Sequence, residues 1–308
     1  MPDLWLLTFS FGGAMLCAVV VCAAVLPRNS VAPLESSSIP SLQRRVLLGL
    51  IIGIPVGLVI QGLVPAWPPV SALDRWLLIG LPLLLVTELA CSTQLLCAWG
   101  GWLRLAASVL LVPVVLFGSV HLQGQSEGVL FGLTANGLVA VIKAMIVTAA
   151  LNAFSQRVSN GESWNHGRGI LIACTSLLTL QITANVVMLG GWVGGGASVL
   201  PLTGVLTGML LVAVMWRNSS AIQSTIRWAN WALAVTLLLG YYFGRLTAPQ
   251  SVLLMGAVLV PGLLVSGSKN GGSRRRCGLA LFACILLLAV VLIPSVLEFQ
   301  KQMSILLS

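Results

Sequence analysis

The feature that most constrains this chain is a series of long apolar runs. Ten of them follow one another with only short polar connections, at roughly 4–26, 46–65, 76–98, 103–120, 128–152, 169–189, 197–216, 228–244, 249–266 and 277–296. A helix rises about 1.5 Å per residue, so about 20 apolar residues cross a hydrocarbon core about 30 Å thick. A helix also satisfies every backbone N–H and C=O within one segment, as a lipid environment demands. The sequence therefore predicts an all-α polytopic integral membrane protein, a single transmembrane domain over residues 1–308 with about ten spans.

Composition supports this reading. Only 7% of the 308 residues are charged and 58% are hydrophobic. A soluble domain carries about 25% charged residues. The N-terminus, MPDLWLL, lacks the basic start of a secretory signal, so the first run is expected to be retained as a span.

Positive charge gives the expected orientation. If the spans alternate, the odd-numbered connections and their edges hold Arg28, Arg44, Arg45, Arg104, Arg157, Arg168, Arg217, Arg227, Lys269, Arg274, Arg275 and Arg276. The opposite side holds Arg75, Arg245 and Lys301, and Lys143 falls inside a span. The positive-inside rule places the first set in the cytoplasm and both termini outside it. The expected location is a bacterial cytoplasmic (inner) membrane. Five plus five spans permit an inverted arrangement of two halves, although no internal sequence similarity is visible.

The net charge of +9 sits in short connections, where it orients helices and meets anionic headgroups, above all at Arg274, Arg275 and Arg276. Nucleic acid is not an expected partner. The seven cysteines are odd in number and form no C-x-x-C, so neither a disulfide framework nor a zinc site is expected. Only His121 and His166 could supply imidazole, and no catalytic, cofactor or metal constellation emerges. An enzyme is accordingly not expected.

Two patterns concern packing. Gly49, Gly53 and Gly57 recur every four residues, which puts them on one helix face where another backbone can approach closely. Gly204 with Gly208 and Gly240 with Gly244 repeat that spacing. All ten tryptophans lie at or near predicted span ends, as in an interfacial aromatic belt.

The candidate site follows from the buried charges. Glu88 is the one acidic residue near a predicted span centre, and Lys143 the one base well inside a span. A lone charge at mid-membrane costs about 2.5–3.5 kcal/mol on insertion scales, so the two are expected to pair. Thr87, Cys91, Ser92 and Gln94 lie near Glu88 on its span, Asn136 precedes Lys143 by two turns, and Gln181 and Asn185 lie one turn apart on the sixth span. The third, fifth and sixth spans are thus expected to enclose one polar site. The function this suggests is a transporter or permease for a small solute, with a proton as a candidate coupling ion through Glu88. The alternative is a non-enzymatic membrane scaffold or assembly subunit, in which the pair fixes helix register.

Overall fold

The fold is taken from a computed structural model that describes residues 4–25, 39–93, 99–117, 135–159, 166–244, 246–266 and 274–307. Among these, all regular elements are helical. In chain order they are α1 (Leu4–Val25), α2 (Ile39–Ile60), α3 (Ala72–Arg75), α4 (Leu81–Cys91), α5 (Gly100–Leu116) and α6 (Ala135–Ser159). Then come α7 (His166–Leu189), α8 (Val193–Ala197), α9 (Val199–Met215), α10 (Ser219–Phe243), α11 (Ala248–Ser266) and α12 (Arg274–Leu307). Each of the ten apolar ranges overlaps a helix.

Among the described residues, six stretches are long and apolar enough to cross a membrane: Trp5–Val25, Gly137–Val158, His166–Leu189, Val193–Met215, Ala248–Val265 and Arg275–Ser304. Leu47–Ile60 and Gly100–Leu116 are apolar but shorter. The 34 residues of α12 extend about 51 Å, well beyond a hydrocarbon core of about 30 Å. Arg275 and Arg276 are exposed at its start.

A π-helical turn, Trp76–Gly80, joins α3 to α4. Pro82 explains its position. Proline has no N–H to donate to the preceding turn and its ring crowds the carbonyl four residues back. The helix widens there, and the Leu81 N–H reaches the Trp76 carbonyl.

The organising element is α10. From Ser224 to Gly240 all of its residues are buried, with α7, α6, α9, α2 and α5 packed around it. A helix shielded from lipid by its neighbours can carry polar residues that a lipid-facing span excludes. That is why α10 is central although it is not among the six most apolar stretches. It also corrects two expectations. Trp228 and Trp231 are not interfacial: they are 2% and 3% exposed and meet edge to face in the core. Arg227 is no loop residue, since α10 starts at Ser219, where the Asn218 side chain accepts the Ala221 N–H.

The glycine stripe acts as expected. A Cβ on Gly53 would meet Val205 Cγ2 at 2.5 Å, and one on Gly57 would meet Pro201 Cβ at 2.6 Å and Ala14 Cβ at 3.0 Å. Gly204 and Gly208 lie against the carbonyls of Phe11 and Met15. These close approaches bind α1, α2 and α9 into one unit. The two halves of the chain do not use matching neighbours: α1 packs on α2 and α9, whereas α7 packs on α10, α11 and α12 as well as α9.

Candidate functional site: a buried charge cluster and a polar file

Glu88 is buried, at 3% exposure. It does not pair with Lys143. Arg104 Nε donates to Glu88 Oε1 at 2.9 Å and Arg104 Nη2 to Oε2 at 3.2 Å, a two-pronged contact. Arg227 Nε lies 3.7 Å from Glu88 Oε1, and Arg227 Nη2 donates to Ser224 Oγ at 3.1 Å. One carboxylate on α4 therefore faces two guanidiniums, one on α5 and one on α10.

The expected partner lies elsewhere for a geometric reason. Gln156 Nε2 donates to the Gly101 carbonyl, so the end of α6 lies beside the start of α5, near Arg104. Lys143 is 13 residues back along α6, about 20 Å at 1.5 Å per residue. The Tyr242 hydroxyl, 15 residues from Arg227 along α10, donates to the Ala140 carbonyl one turn from Lys143, which gives a similar separation. Lys143 is exposed on the outer side of α6.

Glu88 is also less central than expected. α4 ends at Cys91, so Glu88 is three residues, about 4.5 Å, from the helix end. Arg104 lies four residues into α5. Glu88 and Arg104 thus sit near the facing ends of α4 and α5, and Arg227 reaches them from eight residues inside α10.

The other predicted residues divide. Thr87 and Ser92 donate back to the carbonyls of their own helix, Leu83 and Leu89. Cys91 Sγ reaches the Gly100 carbonyl at 3.5 Å and lies within the electrostatic field of Arg227. Gln94 and the side chain of Asn136 lie outside the described residues. Gln181 and Asn185 do join, at 3.4 Å, but not with Glu88. They line an open, largely apolar cleft of ≈ 670 Å³ between α1, α7 and α9, with Thr8, Thr203 and Thr207.

In place of the expected enclosure by the third, fifth and sixth spans, a file of polar groups runs inward from the cluster. Thr148, Asn152 and Ser155 are buried on one face of α6, at i, i+4 and i+7. Asn152 Nδ2 donates to Ser108 Oγ of α5 at 3.1 Å. On α10, Ser224, Arg227, Asn230 and Trp231 share a side at i, i+3, i+6 and i+7. The helices α6 and α10 run antiparallel, with Ala140 beside Tyr242 and Thr148 beside Ala234 and Leu238. That register puts Ser155 level with Arg227, and Asn152 level with Asn230.

A third helix, α7, packs on another side of α10. α7 runs parallel to α10, and its Val187 packs on Gly240 and Gly244. Ser176 lies 11 residues, three helical turns, before Val187 and so shares its α10-facing side. It falls level with Asn230. Beyond it, Leu111, Val112, Val115, Thr148, Ala234, Val235 and Leu238 enclose a small void of ≈ 10 Å³ with an apolar lining. From Arg227 to Ala234 the file is about 10 Å long.

Most buried polar groups in proteins are hydrogen-bonded, and an unmade bond costs about 1–3 kcal/mol. Here both amide atoms of Asn230, Trp231 Nε1, Ser155 Oγ, Ser176 Oγ and Arg227 Nε are buried with no hydrogen-bond partner. Ser155 and Trp231 lie on the α6 side of α10, and Ser176 belongs to α7, which meets α10 at Gly240. Sequence reasoning missed Arg104 and Arg227 as site residues. Asn218 followed by a helical period through Ser224, Arg227 and Trp231 is the signal that marks Arg227 as intrahelical.

No protein-family model, curated protein or solved structure matches the chain.

Proposed function

We propose that this chain is a ten-span permease for a small polar solute in a bacterial cytoplasmic membrane, with both termini on the non-cytoplasmic face. One observation carries the reading: the run of buried polar groups without protein partners along the central helix, ending at Glu88, Arg104 and Arg227. Leaving so many groups unpaired in a packed interior opposes stability, and a solute or water passing along them would supply the missing hydrogen bonds. The orientation rests on the charge asymmetry of the connections. Osmotic swelling of proteoliposomes in small neutral and ionic solutes tests it. Rates above those of protein-free liposomes are expected, and rates equal to theirs for every solute refute it.

A scaffold is favoured by a different observation. Both oxygens of Glu88 are held by Arg104, so the cluster also locks α4, α5 and α10 together. In that reading Asn230→Leu, which fills the file with apolar bulk, changes partner assembly and leaves flux at the background level.

A further inference from the structure

We infer that the cleft between α1, α7 and α9 binds an uncharged lipid whose polar group is a hydroxyl or a carbonyl. This site shares no residue with the charge cluster, and it holds whether or not the chain is a permease. The cleft encloses ≈ 670 Å³. Small-molecule sites span about 300–1,000 Å³ and combine mostly apolar walls with a few placed polar groups. α1, α7 and α9 each lie in a stretch long and apolar enough to cross a membrane, so the medium at the open side of the cleft is lipid.

The polar groups are confined to one end. Thr8 stands four residues after the start of α1 and Asn185 four before the end of α7, so each is about 6 Å from its helix end. α9 follows α7 through the turn at Gly190 and Gly191 and runs parallel to α1, with Gly204 against the Phe11 carbonyl and Gly208 against that of Met15. Thr203, beside Gly204, is therefore level with Phe11, one turn deeper than Thr8. Gln181 lies one turn deeper than Asn185, and Thr207 one turn deeper than Thr203. Beyond Thr207 the lining is Cys174, Leu177, Leu178, Leu210 and Leu211. A polar group with a hydrocarbon tail matches both parts.

The protein leaves this end short of hydrogen bonds. Gln181 Nε2 donates to Asn185 Oδ1 at 3.4 Å, which orients the Asn185 amide, while Gln181 Oε1 has no partner. Among the described residues no acceptor takes the Asn185 Nδ2 hydrogens, and Asn185 is only partly buried, so this donor is open to a ligand. The Thr203 and Thr207 hydroxyls donate to the Val199 and Thr203 carbonyls and keep their lone pairs. An amide donor that faces hydrocarbon without a partner is costly, and a lipid oxygen at that depth relieves the cost. Among the described residues none that lines the cleft is charged. A phospholipid reaching these groups would bring its phosphate toward a lining with no lysine or arginine, whereas an uncharged lipid meets no such penalty.

The test is photolabelling in phosphatidylcholine nanodiscs with a diacylglycerol that carries a diazirine on one acyl chain, read by peptide mass spectrometry. Unlabelled dioleoylglycerol and dioleoylphosphatidylglycerol serve as competitors. Labels are expected to concentrate around Leu178 and Leu211, and dioleoylglycerol to compete at least about tenfold better than the phospholipid, a ratio equivalent to about 1.4 kcal/mol. Asn185→Leu, matched to the parent in melting temperature and elution volume, is expected to lower this labelling at least about threefold, the scale of one hydrogen bond in a membrane. Leu178→Trp, which fills the apolar part of the cleft, serves as a second variant and is also expected to lower it. Labels spread evenly over the apolar helices, equal competition by the phospholipid, or labelling unchanged in both variants overturns the assignment. Cross-linking of Leu178→Cys to a second copy of the chain, in a protein whose native cysteines are replaced, makes the cleft a helix interface and also overturns it. No solute flux enters these readouts, so their failure leaves the permease reading standing.

Discussion

Consider replacing Glu88 with glutamine. The carboxylate is 3% exposed and faces Arg104 at 2.9 and 3.2 Å and Arg227 at 3.7 Å. Removing one partner of a buried ion pair costs about 3–5 kcal/mol, because the charge left behind is desolvated and unpaired. Here two guanidiniums are left, and neither can deprotonate to escape the cost. Glu88→Gln is therefore expected to lose about 3–5 kcal/mol. Arg227→Met is expected to cost less, about 1–3 kcal/mol, because Glu88 keeps its contact with Arg104. Unfolding in mixed micelles titrated with dodecyl sulfate, followed by circular dichroism, measures both. The double variant should be less damaged than the sum, with a coupling of about 0.5–3 kcal/mol. A loss for Glu88→Gln below about 1 kcal/mol, with no coupling to Arg227, is the behaviour of an exposed pair and would refute the reasoning.

Three further outcomes follow from the geometry. Lys143→Ala should change stability by less than about 0.5 kcal/mol in the same titration, because Lys143 is exposed and remote from Glu88. Gly53→Leu should cost about 1–3 kcal/mol by overpacking, since even its Cβ would meet Val205 at 2.5 Å, and the loss should show as a lower melting temperature. At the start of α3, burial pushes the Asp74 carboxyl up, but bonds from the Ser71 hydroxyl and the Ala66 and Ser71 N–H groups, with Arg75 nearby, leave it below its ordinary value. A lowered value stabilises the fold above the ordinary carboxylate range, and that contribution fades as pH falls through the lowered value. Ser71→Ala should cost about 1 kcal/mol near neutral pH and flatten the acid limb of a melting-temperature profile.

How far the sequence could be read depends on what hydropathy measures. It registers apolar composition, so α1, α6, α7, α9, α11 and α12 are legible as apolar runs, although α7 and α9 are mostly covered by protein. Glycines at a spacing of four were legible as close contacts, because spacing alone sets their common face. Glu88 stood out because nothing around it was charged. Its partners did not: Arg104 sits near the start of α5, and Arg227 precedes the apolar run of α10, where arginine reads as an orienting charge. The run assigned to the eighth span began at Trp228, nine residues after α10 starts, because SSAIQSTIR looks like a connection. That segment is polar because α10 faces protein on all sides. Helix neighbours are set by tertiary packing, so no local signal distinguished Arg104 and Arg227 from Lys143 as the partners of Glu88. The same is true of Gln181 and Asn185: their one-turn spacing predicted their contact, but not that it faces α1 and α9.

The central claim is that the region between Arg227 and Asn230 is a polar path. In a protein whose native cysteines are replaced, Ser155→Cys and Asn230→Cys can be probed with a small anionic methanethiosulfonate from the arginine-rich side of the membrane. The account predicts that both are modified, while Ala232→Cys, elsewhere on α10, is not. Equal resistance of all three positions would contradict it.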